Sequence, residues 1–213
     1  FKKKRNFSVP KEIWLKNYLS ATKNKNVDII IELIGGAEGA AKKLVFEALR
    51  NKKNVITANK ALVAKYGDQL SKIAEDNKVN FEFEAAVCGG IPIIRSIKEG
   101  LIANDFSKVY GILNGTSNYI LSSMDNDKLE YNESLSKAQK LGYAESNPLS
   151  DIDGEDVASK LKILTALAFN SFIENKSILV EGIKTIDQID IKNANQLGYK
   201  IKLVGVAEKS KNK

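Results

Sequence analysis

The stretch richest in groups able to move protons or hold a cation runs from Gly142-Tyr143-Ala144-Glu145 through Asp151, Asp153, Glu155 and Asp156 to Lys160. Asp156 and Lys160 stand at i and i+4, so on a helix their side chains share a face, and Val157, Leu161 and Leu164 turn much of that helix toward a core. Burial disfavours an ammonium, whereas a neighbouring carboxylate favours it. A lysine held partly out of water beside an aspartate could therefore exchange a proton near neutral pH. The plainer alternative is an exposed ion pair worth about 0.3–0.5 kcal/mol. The density of carboxylates just upstream, Glu145 among them, keeps the catalytic reading open.

Two other places invite chemistry. Lys60 follows a short apolar run that reads as a strand, and ligands of open α/β sheets bind beyond the carboxyl ends of the strands. It is positioned either to meet a phosphate or substrate oxyanion or simply to be a solvated lysine at a helix start. Gly89, Gly90 and Pro92 form a turn whose backbone a ligand or ion can approach closely, although a tight strand-to-helix connection explains the same residues.

The composition narrows the options. The 213 residues contain no histidine and one cysteine, Cys88, which removes the commonest general base, any internal disulfide and any multi-cysteine zinc site. Acid/base work falls to Lys, Asp, Glu, Tyr or water. Hydrophobic residues make up 43% of the chain, enough for one sizeable core or two smaller ones. No apolar run approaches the roughly 18 residues of a membrane-spanning helix, and the lysine-rich start is not followed by the apolar segment of a secretory signal. The expectation is a soluble, cytoplasmic protein. The net charge of +7 is concentrated at Lys2, Lys3, Lys4 and Arg5 and at Lys209, Lys211 and Lys213. The remaining lysines mostly punctuate amphipathic helices, so no nucleic-acid partner is expected, although a basic anion-binding domain is the alternative from another class.

The elements that must position these groups can be read from periodicity. A continuous apolar strand at 27–33, of the kind buried in a parallel sheet, is broken by Gly35-Gly36 and followed by a helix over 39–51. A strand at 54–58, a helix capped by Asn59 and a strand at 79–86 complete an alternation that predicts a doubly wound parallel α/β domain. After residue 90 the pattern changes. Helices are expected at 91–102, 117–124, 133–141 and 156–169, with strands at 107–113 and 200–207, which gives a second, α+β domain. The boundary is set at residue 90, dividing 1–90 from 91–213.

In order along the chain, VDIIIELIGG (27–36), VITANKALVAKYG (55–67), FEAAVCGGIPIIRSI (83–97), GILNGTSNYILSSM (111–124), KAQKLGYAESNPLSDIDGEDVASKLKILTALAF (137–169) and GYKIKLVGVAE (198–208) resemble homoserine dehydrogenases. The resemblance implies a partial Rossmann-type NAD(P)-binding domain followed by a substrate-binding and dimerisation domain. The activity implied is interconversion of L-homoserine and L-aspartate 4-semialdehyde, in threonine and methionine biosynthesis, by a homodimer or homotetramer. Lys160 resembles the family's proton donor, and Glu145 and Asp156 its substrate-binding carboxylates, with Asp151 a further one. Lys60 resembles a position that meets substrate or cofactor, and Gly142 a cofactor-site position. Glu84, Val87, Gly89 and Ile91 resemble a monovalent-cation site for sodium, built mainly from backbone oxygens. Cys88 stands where family members usually carry a small residue such as Ala or Gly.

The glycine-rich turn that opens a dinucleotide fold, within a unit of about 30 residues, is not found in the sequence. The chain is accordingly expected to be a fragment truncated at both ends and inactive alone. Its basic start, matching the region after the second strand of the fold, is either a feature favouring NADP over NAD or a free tail. Two further alternatives are a dehydrogenase for another amino-acid aldehyde and a non-catalytic dehydrogenase-like domain.

Overall fold

The computed structural model describes residues 10–171, 173 and 177–210; the basic residues Lys2, Lys3, Lys4, Arg5, Lys211 and Lys213 lie outside the described residues. The chain forms two units, Phe1–Glu82 and Phe83–Lys213, divided ahead of the residue-90 boundary expected from sequence. No helix among the described residues is long and apolar enough to cross a membrane.

In the first unit a short helix α1 (Ser20–Lys23) precedes the alternation β1 (Ile29–Glu32), α2 (Ala40–Arg50), β2 (Asn54–Thr57), α3 (Lys60–Asn77) and β3 (Phe81–Glu82). The strands form a parallel sheet in the order β1-β2-β3, with Ile30 opposite Val55 and Val55 opposite Phe81. Parallel neighbours require a crossover, and α2 and α3 supply the two that are needed. Ala41, Leu44, Val45, Ala48 and Leu49 line one stripe of α2, which packs on β1, β2 and α3. Burial in the strands has a period of two: Ile30, Glu32, Val55, Thr57 and Phe81 are buried, whereas Ile29, Ile31, Leu33 and Ile56 are exposed. The run at 27–33 is therefore not buried on both faces, as its continuous apolar character suggested. Inside it sits a carboxylate, Glu32, with no exposed surface.

The expected strand at 79–86 is also shorter than predicted. Only Phe81 and Glu82 pair with β2, and the chain then turns through a 3₁₀ helix at Glu84–Ala86. From this turn the Glu84 carboxylate accepts the N–H groups of Ile94 (2.9 Å) and Arg95 (2.8 Å). The predicted helix at 91–102 becomes a short α4 (Ile93–Arg95) that widens into a π turn at Ser96–Gly100, closed by the Leu101 N–H on the Ser96 carbonyl.

The second unit continues with β4 (Lys108–Gly111), α5 (Gly115–Asn126), α6 (Tyr131–Lys140), α7 (Leu149–Ile152), α8 (Glu155–Phe169), α9 (Gln188–Gln196) and β5 (Gly205–Glu208). β5 pairs antiparallel with β4 and starts later than the predicted 200–207, since β4 offers only the four partners Lys108 to Gly111. α8 packs on both strands. Ile120, Leu121 and Met124 of α5 meet Ala138, Ile152, Ile183 and Ile191 in the core.

Gly182 shows how closely this core is closed. A Cβ added there would lie 2.5 Å from the Ile152 carbonyl oxygen and 2.9 Å from Asp153 Cα, both backbone atoms. Gly182→Ala is expected to destabilise the protein by about 1–3 kcal/mol through overpacking. Thermal denaturation measures this, and an unchanged midpoint would refute it.

Candidate active site

At the carboxyl end of the parallel sheet, buried Glu32 organises the first unit's turn. One carboxylate oxygen accepts the N–H groups of Ile34 (2.6 Å) and Gly35 (3.0 Å), and the other accepts the Thr57 hydroxyl (2.6 Å). Thr57 Oγ1 in turn accepts the Asn59 N–H at 3.0 Å. The Asn59 amide donates to the Gly36 carbonyl (2.8 Å) and accepts the Leu62 N–H (3.1 Å), which caps α3 as predicted. Gly35 and Gly36 adopt φ of +86° and +79°, a conformation that favours glycine, and open space surrounds both. Lys60, the first residue of α3, belongs to this end of the sheet.

Burial pushes the Glu32 carboxyl upward, but the hydrogen bonds from Thr57, Gly35, Ile34 and Asn59 outweigh it and hold the group below its ordinary value of 4.5. A carboxyl lowered by folding stabilises the protein above its unfolded pKa, and that contribution is lost as pH falls through the folded value. Urea resistance is therefore expected to fall as pH drops below about 4.5, and Glu32→Gln to flatten part of that dependence. Identical slopes in the two proteins would remove Glu32 as a contributor.

In the second unit the i,i+4 pair is formed but is not the exposed pair of the plainer reading. Lys160 Nζ lies 2.7 Å from Asp156 Oδ2, and the side chains retain only 16% and 1% of their exposure. Lys160 also donates to the Leu113 carbonyl at 2.7 Å. Leu113 belongs to the connection between β4 and α5, and the next residue, Asn114, caps α5 by accepting the Ser117 N–H at 2.8 Å. The Asn114 amide nitrogen donates to Asp156 Oδ2 and to Asp151 Oδ1, each at 2.8 Å. The Ser117 hydroxyl reaches the Asp151 carbonyl at 2.6 Å.

Lys160, Asp156 and Asp151 are thus brought together, through an asparagine to which sequence reasoning gave no role. Its bonds to residues 37 and 42 positions away leave no periodic trace. Its capping position in the run Asn114-Gly115-Thr116-Ser117 was the available signal.

Glu145 stands exposed on the loop between α6 and α7. That loop is tied to α5 by the Thr116 hydroxyl on the Tyr143 carbonyl (2.6 Å) and to α6 by the Gln139 amide on the Glu145 carbonyl (3.1 Å). Gly142, at φ +79°, ends α6 by donating to the Gln139 carbonyl. A cavity of about 1020 Å³ runs along α8 by Val157, Leu161, Gly182 and Val204, and its walls include none of Lys160, Asp156, Asp151 and Asn114.

Among the expected cation donors, the Glu84 carbonyl accepts the Val87 N–H (3.4 Å) and the Ile91 carbonyl accepts the Ile93 N–H (2.8 Å). Cys88 and Gly90 take φ of +49° and +89°, so the turn carrying Val87 and Gly89 is sharply folded. No group of three or more His, Cys, Asp or Glu side chains placed to hold a metal ion occurs among the described residues.

A parallel sheet of crossover-linked strands with an open glycine turn at its carboxyl end is the build of a dinucleotide-binding fold. Residues 2–84 match the family model described as homoserine dehydrogenase, NAD binding domain, and residues 92–212 match that described as homoserine dehydrogenase. The chain belongs to the homoserine dehydrogenase family. It is 45% identical to the homoserine dehydrogenase of Neisseria gonorrhoeae, over 94% of this chain and 46% of that protein. With the Bacillus subtilis enzyme it shares 43% identity, over 99% of this chain and 48% of that one. The crystal structure of a homoserine dehydrogenase from Thiobacillus denitrificans superposes with a TM-score of 0.88 at 46% identity, covering 92% of this chain and 46% of that one. The chain spans about half the length of the curated relatives it matches.

Proposed function

We propose that the protein carrying this chain interconverts L-homoserine and L-aspartate 4-semialdehyde, a step of threonine and methionine biosynthesis, and that it works in the cytoplasm as a homodimer or homotetramer. The observation that carries the proposal is the buried Lys160–Asp156 pair joined to Asp151 through Asn114. An ammonium has three N–H donors, one more than the bonds to Asp156 and Leu113 use. We assign the third to the substrate oxygen. In the reductive direction Lys160 gives its proton to the aldehyde oxygen as the carbonyl carbon gains hydride, forming the alcohol. In the oxidative direction the neutral amine takes the hydroxyl proton as hydride departs. Glu145 and Asp156 supply negative charge to the substrate ammonium, with Asp151 in support, because a cation leaving water requires anionic partners.

A nicotinamide dinucleotide, when bound, accepts or supplies the hydride. The open turn at Gly35 and Gly36, with Lys60 opening α3 beside it, suits such a ligand, and Gly142, in the second unit, is assigned as a further cofactor-binding position. The preference between NADP and NAD is assigned to the basic run Lys2 to Arg5, in favour of NADP. Sodium would be held by the oxygens of Glu84, Val87, Gly89 and Ile91, since neutral carbonyl donors suit a hard monovalent ion. Its role would be to brace the turn.

The test is an assay of the full-length gene product with L-homoserine and each cofactor, beside other amino alcohols. Turnover of another amino alcohol with none of homoserine would replace this reading by a dehydrogenase for a different amino-acid aldehyde.

A further inference from the structure

Asn114 is 5% exposed and faces groups of fixed hydrogen-bonding character. The carboxylates of Asp151 and Asp156 only accept, and the Ser117 N–H only donates, so the amide has one orientation that satisfies all of them. Its nitrogen faces the two aspartates and its oxygen faces Ser117. Two carboxylates near one point repel each other unless a donor lies between them. The two N–H groups of one amide provide one bond to each. The same short connection holds the lysine, because the Leu113 carbonyl takes Lys160 Nζ while the adjacent Asn114 takes the aspartate to which Lys160 is paired.

We infer that Asn114 is a positioning residue for proton transfer: it fixes Asp156 Oδ2, and through it the Lys160 ammonium, without touching the reacting atoms. The inference rests on Lys160 being the proton donor. Capping and positioning can be separated chemically. Aspartate and serine cap a helix about as well as asparagine, yet neither supplies two N–H donors. Asn114→Asp keeps the acceptor for Ser117 and sets a third carboxylate against two. Asn114→Ser keeps a capping oxygen, stays neutral, and keeps the test open where the added charge unfolds the protein.

The experiment compares both variants with wild type and Lys160→Ala in the full-length protein. If Asn114 positions the donor, both variants lose at least about tenfold in kcat, as a misplaced reacting group does. Their solvent deuterium isotope effect on kcat rises, because proton transfer becomes slower, and KM for the nicotinamide cofactor is unchanged. A cap alone would alter the thermal midpoint without moving the isotope effect. If Lys160→Ala is crippled while both Asn114 variants keep kcat and isotope effect within about twofold of wild type, the inference is overturned and the proton-donor reading stands. A slow Asn114→Asp beside a normal Asn114→Ser overturns it as well, since the added charge alone would then account for the loss. An active Lys160→Ala overturns the proton-donor reading itself.

Discussion

Lys160→Ala in the full-length protein is expected to lower kcat by about 10²–10⁴-fold, the range for losing a positioned general acid, with little change in KM for the nicotinamide cofactor. Lys160 touches Asp156 and the Leu113 carbonyl within the second unit. The loss should therefore fall on the chemical step. Lys160→Arg sharpens the test. Arginine keeps the positive charge beside Asp156 but does not give up its proton at any ordinary pH, so it preserves the ion pair and removes the chemistry. If the ion pair alone mattered, arginine would restore most of the rate; if proton transfer matters, it stays slow. Steady-state kinetics across pH, with thermal midpoints to confirm folding, decide the matter. An alanine variant retaining more than about half of wild-type kcat would end the assignment.

The sequence exposes contacts close along the chain more readily than distant ones. The stripe of α2 and the capping of α3 by Asn59 were legible because each depends on residues a turn or less apart. The same holds for the Asp156–Lys160 pair. α9 was missed for a matching reason. It buries only Ile191, so it has little apolar periodicity, and its capping box is formed by Asp187 and Asp190, without the Glu or Gln usual at the third position. Glu32 was hidden by its neighbours. A carboxylate within an apolar strand carries no mark of the hydroxyl of Thr57, 25 positions away, that satisfies it. Asn114 shows the same limit, since both aspartates it bridges reach it only through the packing of α5, α7 and α8. β3 ends at Glu82, short of the expected residue 86, and just beyond it the Glu84 carboxylate accepts the N–H groups of Ile94 and Arg95, contacts ten and eleven positions away that periodicity does not announce.

The two proposed substrate carboxylates occupy different settings, and their variants should differ accordingly. Glu145 is exposed on the loop between α6 and α7. Glu145→Gln is therefore expected to raise KM for homoserine by about 10- to 100-fold, the equivalent of one charge-assisted bond of about 1.5–3 kcal/mol, with the thermal midpoint unchanged. Asp156 is buried, and its Oδ2 is the shared acceptor for Lys160 and Asn114. In Asp156→Asn the amide oxygen can still accept at the Oδ2 position, but the negative charge is gone. Lys160, mostly removed from water, then loses its anionic partner, and breaking such a pair from one side costs about 3–5 kcal/mol when it is fully buried. The residual exposure of Lys160 sets the expected loss below that figure. Asp156→Asn should accordingly raise the homoserine KM, lower kcat and lower the thermal midpoint together. Kinetics with both substrates and a melting curve for each variant test the contrast. A raised cofactor KM with an unchanged homoserine KM would move the residue concerned to the cofactor side. If Asp156→Asn instead melted with wild type and changed only the homoserine KM, its carboxylate would serve the substrate without holding Lys160.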